Sequence, residues 1–547
     1  ATGFTGSAGL AIISKDDASI FVDGRYTVQV KEQVDNTIFQ ILHMSKNSWL
    51  KWLKDNHRSD AKIGFDARMH RANWKEASKE YLKNNMILEP MDENPIDLYW
   101  KDRPTAVNDQ AFLLNIRYTG ESSIDKRQRL GKLIQKNECK AAFITQLDSI
   151  AWLLNIRGTD VPCNPVLLSH GILYSDGVFD LFIPSNKIPE GFEEHVGKDV
   201  NIYDTNQISS RLDYISENKI QFDNVNSNLW SKNLISNSNL EIVAKEDPCT
   251  LPKACKNNIE IEGMKSCHIK DAVAECNFLY WLDNEVEEGK LHDEGILADK
   301  LDTFRSELDD FRGKSFGTIS AAGKNAAMCH YSHKNYDTPG TLEQNSVYLV
   351  DSGGQYLDGT TDITRTVAIG SPSEFIKKTF TLVLKGHIAL ASAQFPQGIG
   401  GQHLDTLARQ FLWHNGYDFD HGTGHGVGSY LNVHEGPHRI GKGANSVPLL
   451  PGMVVSNEPG YYKENEFGIR IENLIFVKKI SQVDGKNLLG FENLTFVPID
   501  KRLIIKSMMN DQELDWLNSY HKEVFEKVAP LLKDKVLHWL KEATKPI

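Results

Sequence analysis

The spacing of apolar and polar residues divides the 547-residue chain into three regions. In the first region, residues 1–104, short strand-like apolar runs alternate with stretches whose apolar residues recur at helical spacing. These segments are the runs 11–14, 19–22 and 62–65 and the stretches 45–56 and 72–83. Alternating strands and helices predict a layered α/β unit, whose first strand or two we expect upstream of Ala1.

The second region, residues 105–252, repeats this rhythm. It predicts a helix at 123–136, a strand at 141–145, a helix carrying 150–154, and strands at 166–169, 171–174 and 178–183. The order of elements resembles that of the first region more than the residues do, which indicates a weak internal repeat. We therefore expect a second α/β domain.

The third region, residues 253–547, begins with a long helical stretch at 257–287. After Arg312, strands and glycine-rich turns dominate, and the histidines and paired acids concentrate there. The tail from Asp511 onwards has an apolar helical stripe, and Pro530 predicts a break in it because proline cannot continue a helix. The predicted fold class is therefore α/β (α+β), with two smaller α/β domains ahead of a larger one.

Composition excludes several classes of protein. The net charge of −12 and pI of about 5.9 argue against a nucleic-acid binder, which needs a surplus of Lys and Arg. Runs of 18 or more apolar residues are absent, so we expect no membrane span. Seven scattered cysteines without a CxxC motif are typical of a reducing compartment. The chain shows no secretory signal, and we expect a cytoplasmic protein, with an upstream targeting segment as the alternative.

Two acids mark a first predicted hairpin, in the segment VYLVDSGGQYLDGTTDITR. The run 347–350 reads as a buried strand that ends on Asp351, glycine-rich turn residues follow, and a second strand carries Asp362. The two acids are 11 positions apart. A hairpin of that length can bring both carboxylates to one end of a strand pair.

A second predicted hairpin, MVVSNEPGYYKENEFGIRIEN, carries Glu458 after a strand at 453–456 and Glu472 after a returning strand at 467–471. Acids buried at the ends of strands are costly unless they are paired, and a metal is the usual partner. Between the two hairpins, the glycine-rich stretch DHGTGHGVGSYLNVHEGP offers histidines 421, 425 and 434.

Four carboxylates and one imidazole form a hard, oxygen-rich set of ligands. Such a set suits a pair of divalent ions, most readily Mn²⁺, with Zn²⁺ or Co²⁺ as alternatives. Two such ions activate a shared water and polarise a carbonyl, which is the chemistry of amide hydrolysis without a protein nucleophile.

Three segments resemble the signatures of the pita-bread metallopeptidases: DSGGQYLDGTTDITRT, HGTGHGVGSYLNVHEGP and EPGYYKENEFGIRIEN. Among these enzymes they are similar to the Xaa-Pro aminopeptidases of the long, three-domain type. GFTGSAG, DGRY, QLDSIAWLLNIRG and EGMKSCHIKDAVA extend the resemblance over the rest of the chain. It implies two creatinase-like N-terminal α/β domains, 1–104 and 105–252, followed by a pita-bread catalytic domain, 253–547.

The resemblance also implies a set of metal ligands. Asp351 and Asp362 would bind metal, with Asp362 bridging the two ions. His425 would be the imidazole ligand, Glu458 a terminal carboxylate and Glu472 the second bridge. Glu458 would also act as general base, because it neighbours the attacking water.

On the substrate side, the resemblance implies roles for His330, His421 and His434, which would hydrogen-bond the scissile carbonyl and shape a proline pocket. The segment CHYSHKNYDTPG carries an extra residue relative to the family pattern, so His333 is an alternative to His330. Arg470 lies two residues before Glu472, on the same strand face, and we expect it to support an acidic ligand.

The predicted function is a metal-dependent exopeptidase that releases the N-terminal residue from peptides with proline in second position, using a water between the metals. Two alternatives stay open: a prolidase-like Xaa-Pro dipeptidase, and a pita-bread module that binds peptides without catalysis. We expect peptide partners, no nucleic acid and no membrane. The resemblance further implies a homodimer formed through the last domain.

Overall fold

A computed structural model describes residues 2–44, 48–57, 60–79, 82, 86–105 and 107–547. The strands in this part of the chain are β1 Leu10–Ile13, β2 Ala18–Val22, β3 Phe39–His43, β4 Lys62–Phe65, β5 Ile87–Pro90, β6 Phe112–Leu113, β7 Ala141–Ile144, β8 Ile156–Arg157, β9 His170–Tyr174, β10 Phe179–Phe182, β11 Val200–Tyr203, β12 Lys219–Phe222, β13 Glu241–Ala244, β14 Phe311–Lys314, β15 Ile319–Ala322, β16 Ser346–Ser352, β17 Gly354–Tyr356, β18 Gly359–Thr360, β19 Ile363–Ile369, β20 Phe395–Pro396, β21 Gly424–Gly426, β22 Glu435–Ile440, β23 Val454–Asn457, β24 Gly460–Lys463, β25 Phe467–Arg470, β26 Asn473–Val483 and β27 Lys486–Asn493.

The α-helices of the same residues are α1 Gln29–Gln33, α2 Trp49–Asn56, α3 Trp74–Lys79, α4 Pro95–Tyr99, α5 Ile116–Thr119, α6 Ser123–Lys136, α7 Leu147–Leu154, α8 Phe192–Val196, α9 Ile208–Tyr214, α10 Leu229–Asn237, α11 Thr250–Ala254, α12 Asn258–Glu287, α13 Glu294–Ser306, α14 Glu374–Ala391, α15 Asp405–Trp413, α16 Asp511–Val528 and α17 Asp534–Ala543. None of these described helices has the length and apolarity needed to cross a bilayer.

Two compact units form. The first consists chiefly of Gly9–Asp23 and Asp35–Lys253, and the second of Phe4–Ala8, Gly24–Val34 and Ala254–Ile547. We call the second the catalytic unit, after the catalytic domain that the resemblance implies at 253–547. It therefore includes two short segments from the beginning of the chain.

The first unit contains a three-stranded sheet, β1-β2-β3, and a mixed six-stranded sheet in the order β11-β10-β9-β7-β12-β13. Its predicted helix at 123–136 and strands at 141–145, 171–174 and 178–183 are present as α6, β7, β9 and β10. The described parts of the two predicted helical stretches, 45–56 and 72–83, contain α2 and α3. Residues 45–47, 80, 81 and 83 of those stretches lie outside the described residues.

The predicted strand at 166–169 is wrong. Val166 and Leu167 are buried, which explains the apolar run, but this segment has no ladder partner among the strands described. Its backbone bonds instead to a neighbouring loop: the amide of Asp160 donates to the Val166 carbonyl, and the amide of Leu168 donates to the Asp160 carboxylate. Burial without strand geometry therefore produced the same pattern as a strand.

In the catalytic unit, the long helix α12 begins where the sequence predicts it. Asn257 caps it, because its side chain accepts from the Glu260 amide while the Glu260 carboxylate accepts from the Asn257 amide. The predicted break in the C-terminal tail is also present. Helix α16 ends at Val528, and α17 begins at Asp534, beyond Pro530.

Helices α12, α14 and α16 cover the strands that carry the first predicted acid pair. Leu279 of α12, Phe380 of α14 and Leu517 of α16 belong to one core with Val350 of β16 and Val367 of β19, and all are buried. Strands β15-β16-β19 form one sheet, and β20-β27-β26-β23-β21-β22 form a larger antiparallel sheet.

The first predicted hairpin is present, since β16 pairs antiparallel with β19. The second is not a single hairpin. Strand β23 pairs with β26, whereas β25 pairs with β24. The chain therefore forms an inner hairpin, 460–470, between the two strands that flank Glu458 and Glu472. Local alternation marked the strands correctly, but their partners depend on the sheets assembled around them.

A buried cluster of charges joins α12 and α13 behind the strands. Arg305 is fully buried and donates to Asp271 at 2.7 and 3.0 Å and to Glu275 at 2.7 Å. Tyr356 donates to Asp271 at 2.7 Å, and Ser352 donates to Glu275 at 2.9 Å. Because Ser352 ends β16, this cluster fixes the strand that carries Asp351 against the helices.

We expect Arg305→Met to lower the free energy of unfolding by about 3–5 kcal/mol, because it leaves two buried carboxylates without their cation. Urea denaturation at neutral pH measures the change. Lys377→Met is the matched control, since Lys377 pairs with an exposed Glu374 at 3.1 Å, and its loss should cost less than about 1 kcal/mol. Equal stability of Arg305→Met and wild type would contradict this account of the cluster.

Candidate metal centre

The four predicted acids lie at the ends of strands in the catalytic unit. Asp351 is near the end of β16, opposite Thr364 of β19, and Asp362 immediately precedes β19. Glu458 directly follows β23, and Glu472 lies between β25 and β26.

Thr364 brings the two groups of strands together. The amide of Glu472 donates to the Thr364 carbonyl at 3.1 Å, and the Thr364 hydroxyl donates to Glu472 Oε2 at 2.7 Å. One residue of β19 therefore holds the backbone and the carboxylate of Glu472. This contact places Glu472 beside the end of the first hairpin.

His425, in β21, completes the cluster. Its amide donates to the Ser456 hydroxyl at 2.9 Å, and its Nδ1 donates to the Gly426 carbonyl at 2.9 Å. The other ring nitrogen, Nε2, lies 3.5 Å from Asp362 Oδ2 and 3.6 Å from Glu458 Oε1. Ligand atoms of Asp362, His425 and Glu472 all lie within 4.8 Å of one another.

Arg470 supports an acidic residue of the cluster, as the sequence predicts, and that residue is Asp351. The Arg470 guanidinium donates to Asp351 Oδ2 at 2.5 Å, to the Thr364 hydroxyl at 3.1 Å and to the Tyr462 hydroxyl at 2.7 Å. Burial alone would lower the pKa of Arg470, but Tyr462 and Asp351 raise it well above its usual value. The guanidinium is therefore a permanent cation beside the acids.

Crowding of carboxylates changes their protonation. Burial, together with the charge of Asp351, raises the pKa of Asp362 to about 6. Burial likewise raises the pKa of Glu458 to about 7, and burial with the neighbouring acids raises that of Glu472 well above its usual value. Without a further cation, Glu472 and part of the Glu458 population hold protons near neutral pH in the folded chain.

The pKa values of the histidines diverge. Burial alone would lower the pKa of His425, but its bond to Asp362 and the charge of Glu458 raise it to about 9. The ring of His434 lies edge-on to that of His425, 4.3 Å between centroids, and the His425 charge followed by burial lowers the pKa of His434 to about 3. His434 is therefore neutral at physiological pH.

His421 has both ring nitrogens hydrogen-bonded within the chain. Nδ1 donates to the Gly422 carbonyl at 2.7 Å, so Nε2 accepts from the Tyr462 hydroxyl at 2.7 Å. Burial and then the charge of Arg470 lower the pKa of His421 well below its usual value. Through Tyr462, this neutral ring is connected to Arg470 and hence to Asp351.

The structure distinguishes His330 from His333. The His330 imidazole acts electrostatically on both His421 and His434. His333 is buried, and the charged groups that act on its pKa, after burial itself, are Lys334, Glu294, Asp299 and Lys314. His330 is thus the histidine of this pair that acts on His421 and His434.

Four residues at the site were assigned no site role from the sequence. These are Thr364, Ser456 and Tyr462, together with Tyr26, whose hydroxyl lies 2.9 Å from Nδ1 of His330. Tyr462 and Thr364 lie inside the family-like segments EPGYYKEN and TDITRT, and Tyr26 lies inside DGRY, so their motifs were visible but their contacts were not. The site role of a hydroxyl depends on the residue it hydrogen-bonds to, and only the folded structure shows which residue that is.

The residues present fit a pair of divalent ions. Oδ1 of Asp351 is buried and has no hydrogen-bond partner among the residues described, although a buried carboxylate oxygen normally has one. The donors are carboxylate oxygens and one imidazole whose Nδ1 is committed to a carbonyl, which directs Nε2 to the acids. Hard oxygen donors with one imidazole define the site of a metal-dependent hydrolase that uses divalent ions.

Comparisons with known proteins agree with this class. Residues 262–479 match the metallopeptidase family M24, and residues 487–547 match the C-terminal region of that peptidase family. Residues 1–94 and 102–260 each match a creatinase/prolidase N-terminal domain.

The chain is 40% identical over 564 residues to a probable Xaa-Pro aminopeptidase P of Laccaria bicolor, covering 100% of this chain and 87% of that protein. Its structure is similar to the crystal structure of an X-prolyl aminopeptidase of Caenorhabditis elegans, described as a cytosolic enzyme with a di-nuclear active site. The TM-score is 0.95, with 35% identity and coverage of 100% of this chain and 91% of that one. A Xaa-Pro dipeptidase of Bacillus anthracis shares the fold, at TM-score 0.55 and 20% identity over 69% of this chain and 99% of that one.

The chain belongs to metallopeptidase family M24. The predicted fold class is confirmed: creatinase-like N-terminal α/β domains precede a pita-bread catalytic domain.

The raised pKa of Glu458 predicts a pH-dependent stability. In the metal-free folded chain its pKa is about 7, against 4.5 for the unperturbed group. Folding therefore favours the protonated carboxyl. This contribution to stability is fully present below about pH 4.5 and is lost as the pH rises from there through 7. Glu458→Gln removes the dependence, so metal-free Glu458→Gln should gain about 1–3 kcal/mol relative to wild type between pH 5 and pH 8.

Urea denaturation of both proteins in chelator, at pH 5 and pH 8, measures this difference. Glu374→Gln on the exposed surface of α14 is the control and should show the same difference from wild type at both pH values. A pH-independent difference for Glu458→Gln would contradict the raised pKa.

Proposed function

We propose that this chain is a metal-dependent Xaa-Pro aminopeptidase, which hydrolyses the bond between an N-terminal residue and a following proline. The observation that carries the proposal is that Asp362, Glu472 and the His425 imidazole lie together at the strand ends of an M24 catalytic domain, with Glu458 beside His425 and Asp351 acting on the other acids. Full-length similarity to proteins named Xaa-Pro aminopeptidase supports the choice of substrate.

We assign five residues as ligands of two divalent ions: Asp351, Asp362, His425, Glu458 and Glu472. Asp362 and Glu472 would be the two ligands shared by both ions. We propose Mn²⁺ as the ion, because hard carboxylate donors predominate. When bound, the ions activate a water and polarise the scissile carbonyl.

Glu458 is the proposed general base. Its pKa, raised to about 7 by burial, lies near the operating pH, which suits a group that takes up a proton and returns it. The Ser456 hydroxyl donates to Glu458 Oε1 at 3.2 Å and also accepts from the His425 amide, so it orients both side chains.

On the substrate side, we propose that His330 and His434 contact the peptide. His434 is neutral, so it can donate to the scissile carbonyl without adding charge to the site. His421 acts indirectly. Its Nε2 accepts a hydrogen bond from the Tyr462 hydroxyl, this hydroxyl accepts from Arg470, and Arg470 donates to Asp351. Proline after the scissile bond would fill the pocket that these rings border.

Three further assignments complete the proposal. We propose a cytoplasmic enzyme, which the description of the C. elegans relative as cytosolic supports. We propose a homodimer, formed through the last domain. We also retain 1–104, 105–252 and 253–547 as the three domains.

The proposal is tested by cleavage of an Xaa-Pro-Yaa tripeptide with chelator-stripped protein, with and without Mn²⁺. We expect release of the first residue only when metal is added, and a loss of more than about 100-fold in Glu472→Ala, which removes a bridging carboxylate. Asp358→Asn is the control, because Asp358 lies between the proposed ligands Asp351 and Asp362 in sequence but pairs with Lys270 at 2.9 Å. It should retain most of the activity.

The alternatives give different results in the same assay. A dipeptidase would cleave a bare Xaa-Pro dipeptide and leave the tripeptide intact. A binding module without catalysis would cleave neither, even with Mn²⁺. Either result would overturn the proposal.

A further inference from the structure

A short N-terminal segment contributes a buried tyrosine to the catalytic unit. Gly24–Val34 belongs to this unit, although it lies more than 200 positions before α12. Tyr26 in this segment is 1% exposed. Its ring lies edge-on to that of Phe4, at 5.5 Å, and to that of His330, at 5.4 Å.

The Tyr26 hydroxyl contacts His330 directly. The phenolic oxygen lies 2.9 Å from Nδ1 of His330. The same oxygen lies 2.5 Å from the Ser7 hydroxyl and accepts from the Ser7 amide at 3.3 Å. A chain of three groups therefore runs from Ser7 through Tyr26 to the imidazole.

The chemistry of these three groups decides which of them donates and which accepts in each hydrogen bond. A phenol is a better proton donor than an aliphatic hydroxyl, and an imidazole nitrogen is a better acceptor than a hydroxyl oxygen. The Tyr26 proton therefore points to Nδ1 of His330, while the Tyr26 oxygen accepts from Ser7. With Nδ1 as acceptor, the neutral imidazole carries its proton on Nε2.

The loop that carries His330 is held by other contacts. The buried carboxylate of Glu294 accepts from four donors on or beside this loop, and this accounts for the loop's shape without Tyr26. The donors are the Ala322 amide at 2.7 Å, the Asn325 side chain at 2.9 Å, the Tyr331 hydroxyl at 2.6 Å and the Gly340 amide at 2.8 Å. The Tyr26 hydroxyl thus acts on the His330 ring more than on the loop.

We propose that Tyr26 is a positioning residue for peptide hydrolysis, whose hydroxyl holds His330 in the tautomer with its proton on Nε2. In that tautomer His330 offers a hydrogen-bond donor to the substrate. Fixing the tautomer before the substrate arrives removes the cost of selecting it during the reaction. This inference rests on the proposed aminopeptidase function and adds to it a residue from the N-terminal part of the chain.

Tyr26→Phe tests the proposal, because it keeps the ring packing and removes only the hydroxyl. We expect kcat/KM for the tripeptide to fall about five- to thirtyfold in the metal-loaded enzyme, from the loss of one buried hydrogen bond to a substrate-side residue. Ser7→Ala should give a smaller loss, about two- to threefold, because it removes only the outer member of the chain.

The chain offers a matched control in Tyr336→Phe. Tyr336 donates to Glu32 at 2.6 Å, so its hydroxyl joins the same N-terminal segment to the same loop without contacting His330. If the hydroxyls serve only to attach the segment, both variants should lose activity equally. The proposal requires kcat/KM of Tyr336→Phe to stay within about twofold of wild type.

A spectroscopic measurement separates this proposal from the proposed function. Nitrogen chemical shifts of ¹⁵N-histidine-labelled protein loaded with diamagnetic Zn²⁺ report the tautomer of His330, assigned by comparison with His330→Gln. We expect the Nε2–H form in wild type and a mixture of tautomers in Tyr26→Phe, whether or not the protein cleaves the tripeptide. An Nδ1–H form in wild type, or an unchanged tautomer in Tyr26→Phe, would overturn the proposal.

Discussion

The crowding of four carboxylates, three of them buried, at one meeting point of strands is the constraint on which the catalytic unit depends. Asp351, Asp362 and Glu472 are less than a tenth exposed, and each raises the cost of ionising its neighbours. Such a cluster is unfavourable unless cations or protons balance it. Arg470 and His425 supply part of that balance, and the raised pKa values of the acids show that a demand for positive charge remains.

Buried arginines behind the strands hold this unfavourable arrangement in place. Arg365 donates to the carbonyls of Thr364 and Glu472, at 2.9 and 2.7 Å, and so joins the two strand pairs that carry the acids. Arg305 fixes the same end of the first hairpin from the β16 side, through Glu275 and Ser352. Neither guanidinium contacts a proposed ligand carboxylate. Their positive charge and many donors instead fix the backbone, so that the ligands have little freedom to separate.

The histidines show how one residue type takes different roles in one site. His425 has acids beside it and a pKa near 9, whereas His421 and His434 are held neutral by burial and by neighbouring positive charge. For each ring, the partner of one nitrogen decides what the other nitrogen can do: Gly426 for His425, Gly422 for His421 and Tyr26 for His330. Backbone carbonyls and a buried phenol therefore set the chemistry that the imidazoles can perform.

The sequence alone determined the order of domains, the bounds of α12, the break at Pro530 and the acids that converge, because capping, proline chemistry and strand patterns act between near neighbours. Only the tertiary structure decided that β23 pairs with β26, that Arg470 bonds to Asp351 across 119 positions, and that Tyr26 reaches His330 across 304. The buried run at 166–169 was misread for the same reason. A residue's partner across the fold depends on the packing of the whole unit, which local patterns of hydrophobicity do not contain.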